Sequence, residues 1–220
     1  MDHDNIPSKQ QEFEQLKQRV AQLERELAEA QVEEAWKPSG FYTSYYATTG
    51  FLLGGVAALV ALLINLLGAP LAGKHPFELI RVYLTFPLGE KALQLAQAGG
   101  KNGAVDDNLL IIFGCCLYIG TGMVLGILFQ LTLEKFAQPP TLARRFLVGS
   151  VLAVAVWAVA FYGILSWLQP MLFGGNWIVD PKYLPIWVAI GTHLVFGWTM
   201  ALLSPLGHFT PYRRVGLESA

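Results

Sequence analysis

The amino-acid sequence predicts an all-α integral membrane protein in which four transmembrane helices follow a cytoplasmic coiled-coil helix. The first reason is composition: 54% of the 220 residues are hydrophobic and 14% are charged, whereas soluble domains carry about 25% charged residues. The second reason is that four long stretches contain no Asp, Glu, Lys or Arg. They lie between Lys37 and Lys74, Asp107 and Glu134, Arg145 and Asp180, and Lys182 and Arg213. Each stretch can cross a hydrocarbon core of about 30 Å, which takes about 20 helical residues.

These observations exclude several function classes as the main interpretation. A soluble enzyme or a nucleic-acid-binding domain needs a charged surface, and a disordered chain has few apolar residues. The net charge of −1 gives no general attraction to nucleic acid. We therefore expect lipid, and no nucleic acid, among the partners of the protein.

Residues 8–36 are predicted to form the coiled-coil helix, after a disordered N-terminal segment over residues 1–7. Apolar residues recur in this segment at alternating spacings of three and four, the heptad pattern of a coiled coil. The predicted interface positions are Phe13, Leu16, Val20, Leu23, Leu27 and Ala30. Most other positions hold Glu, Gln, Lys, Arg or Ala, which favour a helix.

The charges beside this apolar stripe favour a second copy of the chain as the partner. In a parallel, in-register pair, Glu12 would face Lys17 and Arg19 would face Glu24 across the interface. A coiled coil with a different membrane protein and a solvated single helix are the alternatives, because the repeat covers fewer than four heptads.

Residues 41–207 are predicted to form the transmembrane domain. The four spans are expected at about residues 47–69, 109–133, 146–168 and 183–206. Two GxxxG pairs predict close helix packing, because glycine lets two helix backbones approach. They are Gly50 with Gly54 and Gly122 with Gly126. We expect the first span to serve as an uncleaved insertion signal, since the polar N-terminal sequence does not resemble a signal peptide.

Residues 76–98, between the first two spans, are apolar but also charged. Glu78, Arg81, Glu90 and Lys91 make this segment too polar to cross a membrane as a simple helix. We predict an interfacial helix, broken near Pro87. A re-entrant segment is the alternative.

Basic residues predict that both termini are cytoplasmic. Ten Lys and Arg residues lie on the side of the termini and five lie on the other side. The pairs Arg144–Arg145 and Arg213–Arg214 each abut a span and are expected to contact lipid headgroups. The tail of residues 208–220 is then cytoplasmic. A bacterial inner membrane is the expected location, because the sequence has no eukaryotic targeting feature.

Polar side chains inside the spans are the candidates for a functional site. Asn65, Gln130, Thr192 and His193 would line the pore if the protein were a facilitator or channel with a pore at an oligomer interface. His193 could instead ligate a haem, with His75 as the second ligand. A structural hydrogen bond is the commoner role of a lone histidine in a span.

The sequence contains no recognised catalytic, phosphate-binding or metal-binding motif. The spans also lack Asp, Glu, Lys and Arg, which disfavours an ion-coupled transporter. We therefore expect a non-enzymatic protein without a cofactor, which acts in assembly as a self-associating protein or as an accessory subunit of a membrane complex. A small facilitator or channel and a haem-bearing electron-transfer subunit are the alternatives.

Overall fold

The computed structural model of the protein describes residues 6–33, 41–71, 73–94, 104–137 and 140–209. Within these residues the chain is helical and has no strand. It divides into two units, one with the described residues up to residue 41 and the other with the described residues from 42 to 209. In the first unit, helix α1 covers Ile6–Glu33. Parts of three predicted segments lie outside the described residues. They are residues 1–5 of the N-terminal segment, residues 34–36 of the coiled-coil helix and residues 210–220 of the C-terminal tail.

The second unit contains the remaining helices. They are α2 (Thr43–Leu71), α3 (Glu78–Leu88), α4 (Lys91–Gln94), α5 (Ala104–Phe136), α6 (Leu142–Ala158), α7 (Ser166–Phe173) and α8 (Ile186–Leu203). A π-helical segment, Val159–Leu165, joins α6 to α7 without a break, and a 3₁₀ turn, Ser204–Gly207, extends α8.

Four helices in this unit are long and apolar enough to cross a membrane, as the sequence predicts. They cover Thr43–Leu71, Asn108–Phe136, Leu142–Phe173 and Ile186–Gly207. This prediction is confirmed for the number of apolar helices, and the fold is compatible with a multi-pass membrane protein. The fourth helix begins later than predicted, at Ile186, because Pro185 lies at its N-cap.

The first spanning helix buries small residues along its central part and exposes large ones. In α2 the buried positions between residues 50 and 61 are glycine and alanine, while Leu52, Val56 and Leu59 are exposed. This arrangement suits a helix in lipid, where small residues let helices approach and large apolar residues face the acyl chains.

Helices α2 and α5 lie antiparallel and contact each other through the two GxxxG pairs. A Cβ atom at Gly50 would lie 2.6 Å from the carbonyl oxygen of Gly126, and one at Gly54 would lie 2.7 Å from the Cα of Gly126. A Cβ atom at Gly122 would meet Ala58. The two helices therefore touch backbone to backbone.

Helices α6 and α8 pack in the same way, at residues that the GxxxG search does not find. A Cβ atom at Gly149 would lie 2.9 Å from the carbonyl oxygen of Gly197, and one at Gly197 would lie 3.0 Å from the Cβ of Ala153. Phe129 and Phe196 pack edge to face, with ring centroids 5.1 Å apart, and join α5 to α8. The four spanning helices thus share one core.

The bundle has two ends. We call the end where α5 joins α6 the Arg144 end, and the end where α2 leads into α3 the Lys74 end. Helix α7 leads into α8 at the Lys74 end. There Asn176 Nδ2 donates to the carbonyl of Ser166 at 3.2 Å. In a regular helix this carbonyl would accept from the N–H of residue 170, but residue 170 is a proline and has no N–H.

Helix α3 lies among the spanning helices. Ile80 and Leu84 belong to a cluster with Leu62 and Ile111, whereas Val82 packs into a different cluster with Phe161. No residue from 76 to 89 is exposed. The segment predicted to be interfacial is therefore enclosed by its neighbours over these residues, while residues 95–98 lie outside the described part.

Polar contacts fix α3 in this position. The Tyr83 hydroxyl lies 2.5 Å from Thr121 Oγ1, near the middle of the second spanning helix. Gln169 of α7 is fully buried and donates to Thr85 Oγ1 at 2.9 Å. The oxygen of Gln169 accepts from Ile178 N at 3.0 Å, so both polar groups of this buried amide are satisfied.

Candidate functional site

The apolar stripe of α1 is exposed along the described part of the helix. Phe13, Leu16, Val20, Leu23 and Leu27 are between 43% and 64% exposed. The side chain of Ala30 lies outside the described residues. A single helix cannot bury such a stripe by itself.

Of the four polar residues predicted within the spans, Asn65 and Thr192 are brought together. Asn65 Nδ2 donates to Thr192 Oγ1 at 3.0 Å and to the carbonyl of Ala61 at 2.8 Å. Thr192 Oγ1 lies 3.2 Å from Asn65 Oδ1 and 2.8 Å from the carbonyl of Val188. This pair links α2 to α8 near the Lys74 end.

A cavity of about 390 Å³ lies beside this pair, between α2 and α8. Most of its lining is apolar, and Asn65 and Thr192 provide the polar groups on its inner wall. Residues from the start of α3, including Glu78, line it at the Lys74 end. Its size lies within the usual range of small-molecule sites, roughly 300–1,000 Å³.

Charged side chains are concentrated at the Lys74 end of the cavity, which we call its mouth. Lys74 and Glu78 line it directly, and Arg81 Nη1 lies 3.3 Å from Glu78 Oε2. Arg81 is only 4% exposed, and its Nε and Nη2 have no hydrogen-bond partner among the described residues. His75 accepts from the backbone N–H of Phe77 at 3.1 Å. Partial burial and, secondarily, the positive charge of Arg81 lower the pKa of His75, although Glu78 opposes them.

The other two predicted polar residues lie elsewhere. Gln130 is fully buried at the Arg144 end, where its Nε2 donates to the carbonyl of Ser204 at 3.2 Å. His193 Nδ1 donates to the carbonyl of Ala189 in its own helix at 2.8 Å, and its ring packs edge to face with Phe161. Nothing in the described structure joins His193 to His75. Among the described residues no group of three or more His, Cys, Asp or Glu side chains is placed to hold a metal ion.

Glu134 is a buried polar residue that the sequence analysis did not select. It accepts from Gln130 Nε2 at 3.2 Å, and its Oε2 lies 2.8 Å from His208 Nδ1. The Glu134 side chain is 6% exposed and that of His208 is 49% exposed. This cluster ties the end of α5 to the end of α8 at the Arg144 end. The spacing of four between Gln130 and Glu134 is the signal that could have identified it.

The basic pairs are described in part. Arg144 is exposed, and its Nε donates to the carbonyl of Phe136 at 3.2 Å. This bond satisfies a free carbonyl at the C-terminal end of α5, where a positive charge is also favourable. Arg145 is partly buried, and Arg213 and Arg214 lie outside the described residues.

Comparisons with protein families, with curated proteins and with solved structures found no match. The helices alone therefore define the class of protein. The fold is a four-helix bundle that is compatible with a multi-pass membrane protein.

Proposed function

We propose that the protein is a non-enzymatic membrane protein that acts in assembly, and that α1 pairs with α1 of a second copy. The observation that carries this proposal is the exposed stripe from Phe13 to Leu27 on a helix of 28 residues. The residues beside the stripe support a parallel pair, because Glu12–Lys17 and Arg19–Glu24 would be oppositely charged across it.

The proposed orientation places the Arg144 end, and both termini with it, in the cytoplasm of a bacterium. Arg144 and Arg145 lie in the first turn of α6, directly after the short connection from α5, and basic residues beside a short connection have the strongest influence on topology. Reporter fusions to the two termini test this orientation, and activity of a periplasmic reporter at either terminus would contradict it.

Cysteine crosslinking in native membranes tests the coiled coil. In a chain with Cys115 and Cys116 replaced by alanine, Leu16→Cys occupies a predicted interface position and is expected to form a covalent dimer. Gln18→Cys, on the opposite face of the same helix turn, is the matched control and should remain monomeric. Equal dimer yields from the two variants, or no dimer from either, would contradict pairing of α1 with itself.

The assembly role is tested separately from the crosslink. Leu16→Asp with Leu23→Asp places charges in the predicted interface, and we expect the detergent-solubilised protein to lose its self-association in analytical ultracentrifugation. Arg25→Asp changes the charge of an outward position and should leave association intact. Self-association unaffected by the double substitution would refute the proposed role of α1.

A further inference from the structure

Two glycines in the wall of the cavity between α2 and α8 have no packing role. Gly68 and Gly191 line the cavity on facing helices, and a Cβ atom at either position would meet no described atom within 4 Å. Gly50, Gly54 and Gly126, in contrast, lie directly against a neighbouring backbone. Glycine inside a helix costs up to about 1 kcal/mol relative to alanine, so these two positions keep space open at a cost in helix propensity.

The cavity is reached from the side of the bundle that faces lipid. Ile64 and Trp187 line it and are largely exposed, and exposed Leu67 lies beside them on α2. A polypeptide entering from this side would bring unsatisfied backbone polar groups into an apolar space, whereas an acyl chain would not. Apolar walls therefore favour a hydrocarbon chain as the occupant.

The mouth of the cavity favours a charged group instead of a hydrocarbon chain. Lys74 lines it, is exposed, and forms no salt bridge within the described part of the chain. Glu78 also lines it but is paired with Arg81, which lies outside the cavity lining. An unpaired ammonium beside a carboxylate that is already paired favours an anionic group with acceptor oxygens, such as a phosphate.

We propose that this cavity binds one phospholipid with an anionic headgroup, drawn from the surrounding bilayer. An acyl chain lies between α2 and α8 against Gly68 and Gly191, and the headgroup phosphate lies at Lys74. The site is independent of α1 and of the proposed assembly function.

Native mass spectrometry of the full-length protein in detergent tests the site with two probes, phosphatidylglycerol and phosphatidylcholine with identical acyl chains. Gly191→Leu adds four carbon atoms inside the cavity and is expected to weaken binding of both lipids roughly tenfold. Gly120→Leu is the matched control, because Gly120 also has no described atom within 4 Å of its Cβ position but lies outside the cavity lining. Gly68→Leu fills the same space from α2 and serves if Gly191→Leu does not fold.

The charge of the headgroup is tested at the mouth. Lys74→Gln is expected to weaken phosphatidylglycerol binding about fivefold and to leave phosphatidylcholine binding unchanged. Lys91→Gln removes an exposed lysine of the same inter-helix connection and should change neither. Equal lipid binding by the Gly191→Leu and Gly120→Leu proteins would overturn the cavity as the site. A preference for phosphatidylglycerol that survives Lys74→Gln would overturn the proposed headgroup contact.

Discussion

Helix α2 makes two different contacts with its neighbours, and glycine has a different role in each. Toward the Arg144 end, Gly50 and Gly54 lie against the backbone of α5, and no room remains for a side chain. Toward the Lys74 end, Gly68 faces a cavity, and the Asn65–Thr192 hydrogen bonds hold α2 and α8 beside it. The comparison shows that the role of a helical glycine depends on what lies beside it. A glycine against a neighbouring backbone allows close packing, and a glycine beside empty space leaves a cavity open.

The same substitution should therefore have opposite effects in the two contacts. Gly126→Ala would place a methyl group 2.5 Å from the Cα of Gly54, and we expect it to lower the free energy of unfolding by about 3 kcal/mol. Gly191→Ala meets no described atom within 4 Å and should raise it by up to about 1 kcal/mol through helix propensity. Unfolding in mixed micelles of a mild detergent and dodecyl sulfate measures both.

Gly120→Ala, on the same helix as Gly126, is the matched control for the close contact. It should behave like Gly191→Ala, because it also has open space around the added methyl group. If Gly126→Ala were as stable as Gly120→Ala, the backbone contact between α2 and α5 would not be as close as the structure has it.

A smaller loss is expected from the polar link between α2 and α8. Thr192→Val removes the hydroxyl that bonds to Asn65, and a hydrogen bond between membrane helices contributes about 0.6 kcal/mol on average and up to about 1.7 kcal/mol. Thr199→Val removes a hydroxyl of the same helix that donates to the carbonyl of Val195 in its own backbone. We expect Thr192→Val to be the more destabilising of the two in the same unfolding assay. The reverse order would contradict a stabilising role of the link.

Local patterns in the sequence predicted the spanning helices and singled out four of the glycines at their contacts. Runs without charge determine where a helix can cross lipid, and a spacing of four places two small residues on one face. The α6–α8 contact was missed although it follows the same rule, because its small residues are glycine with alanine, as in Gly149 with Ala153 and Gly197 with Ala201. A search for any two small residues four apart would have found both pairs.

The surroundings of the charged residues could not be predicted in this way. In the sequence, Glu134 is the charged residue that ends the second uncharged stretch. In the structure its side chain is buried beside His208, 74 residues further along the chain. Arg81 is one of the charges from which an interfacial segment is predicted, yet it is buried with α3 among the spanning helices. Such contacts join residues that are distant in sequence, and no local periodicity records them. The pairing of α1 stays a prediction, because it depends on a partner that the chain alone does not contain.

The smallest expected effect concerns His75, which follows the cavity-lining residue Lys74 in the chain. Burial and the charge of Arg81 lower its pKa below 6.5, while Glu78 raises it. Glu78→Gln should therefore lower the pKa of His75 further, and an NMR titration of the histidine rings, assigned with His75→Gln, measures the change. Since the folded protein then binds fewer protons than the unfolded chain, the contribution of His75 to stability is present above about pH 6.5 and declines as the pH falls below it. A pKa of His75 above 6.5 in the folded protein would mean that Glu78 outweighs burial and the charge of Arg81, contrary to this expectation.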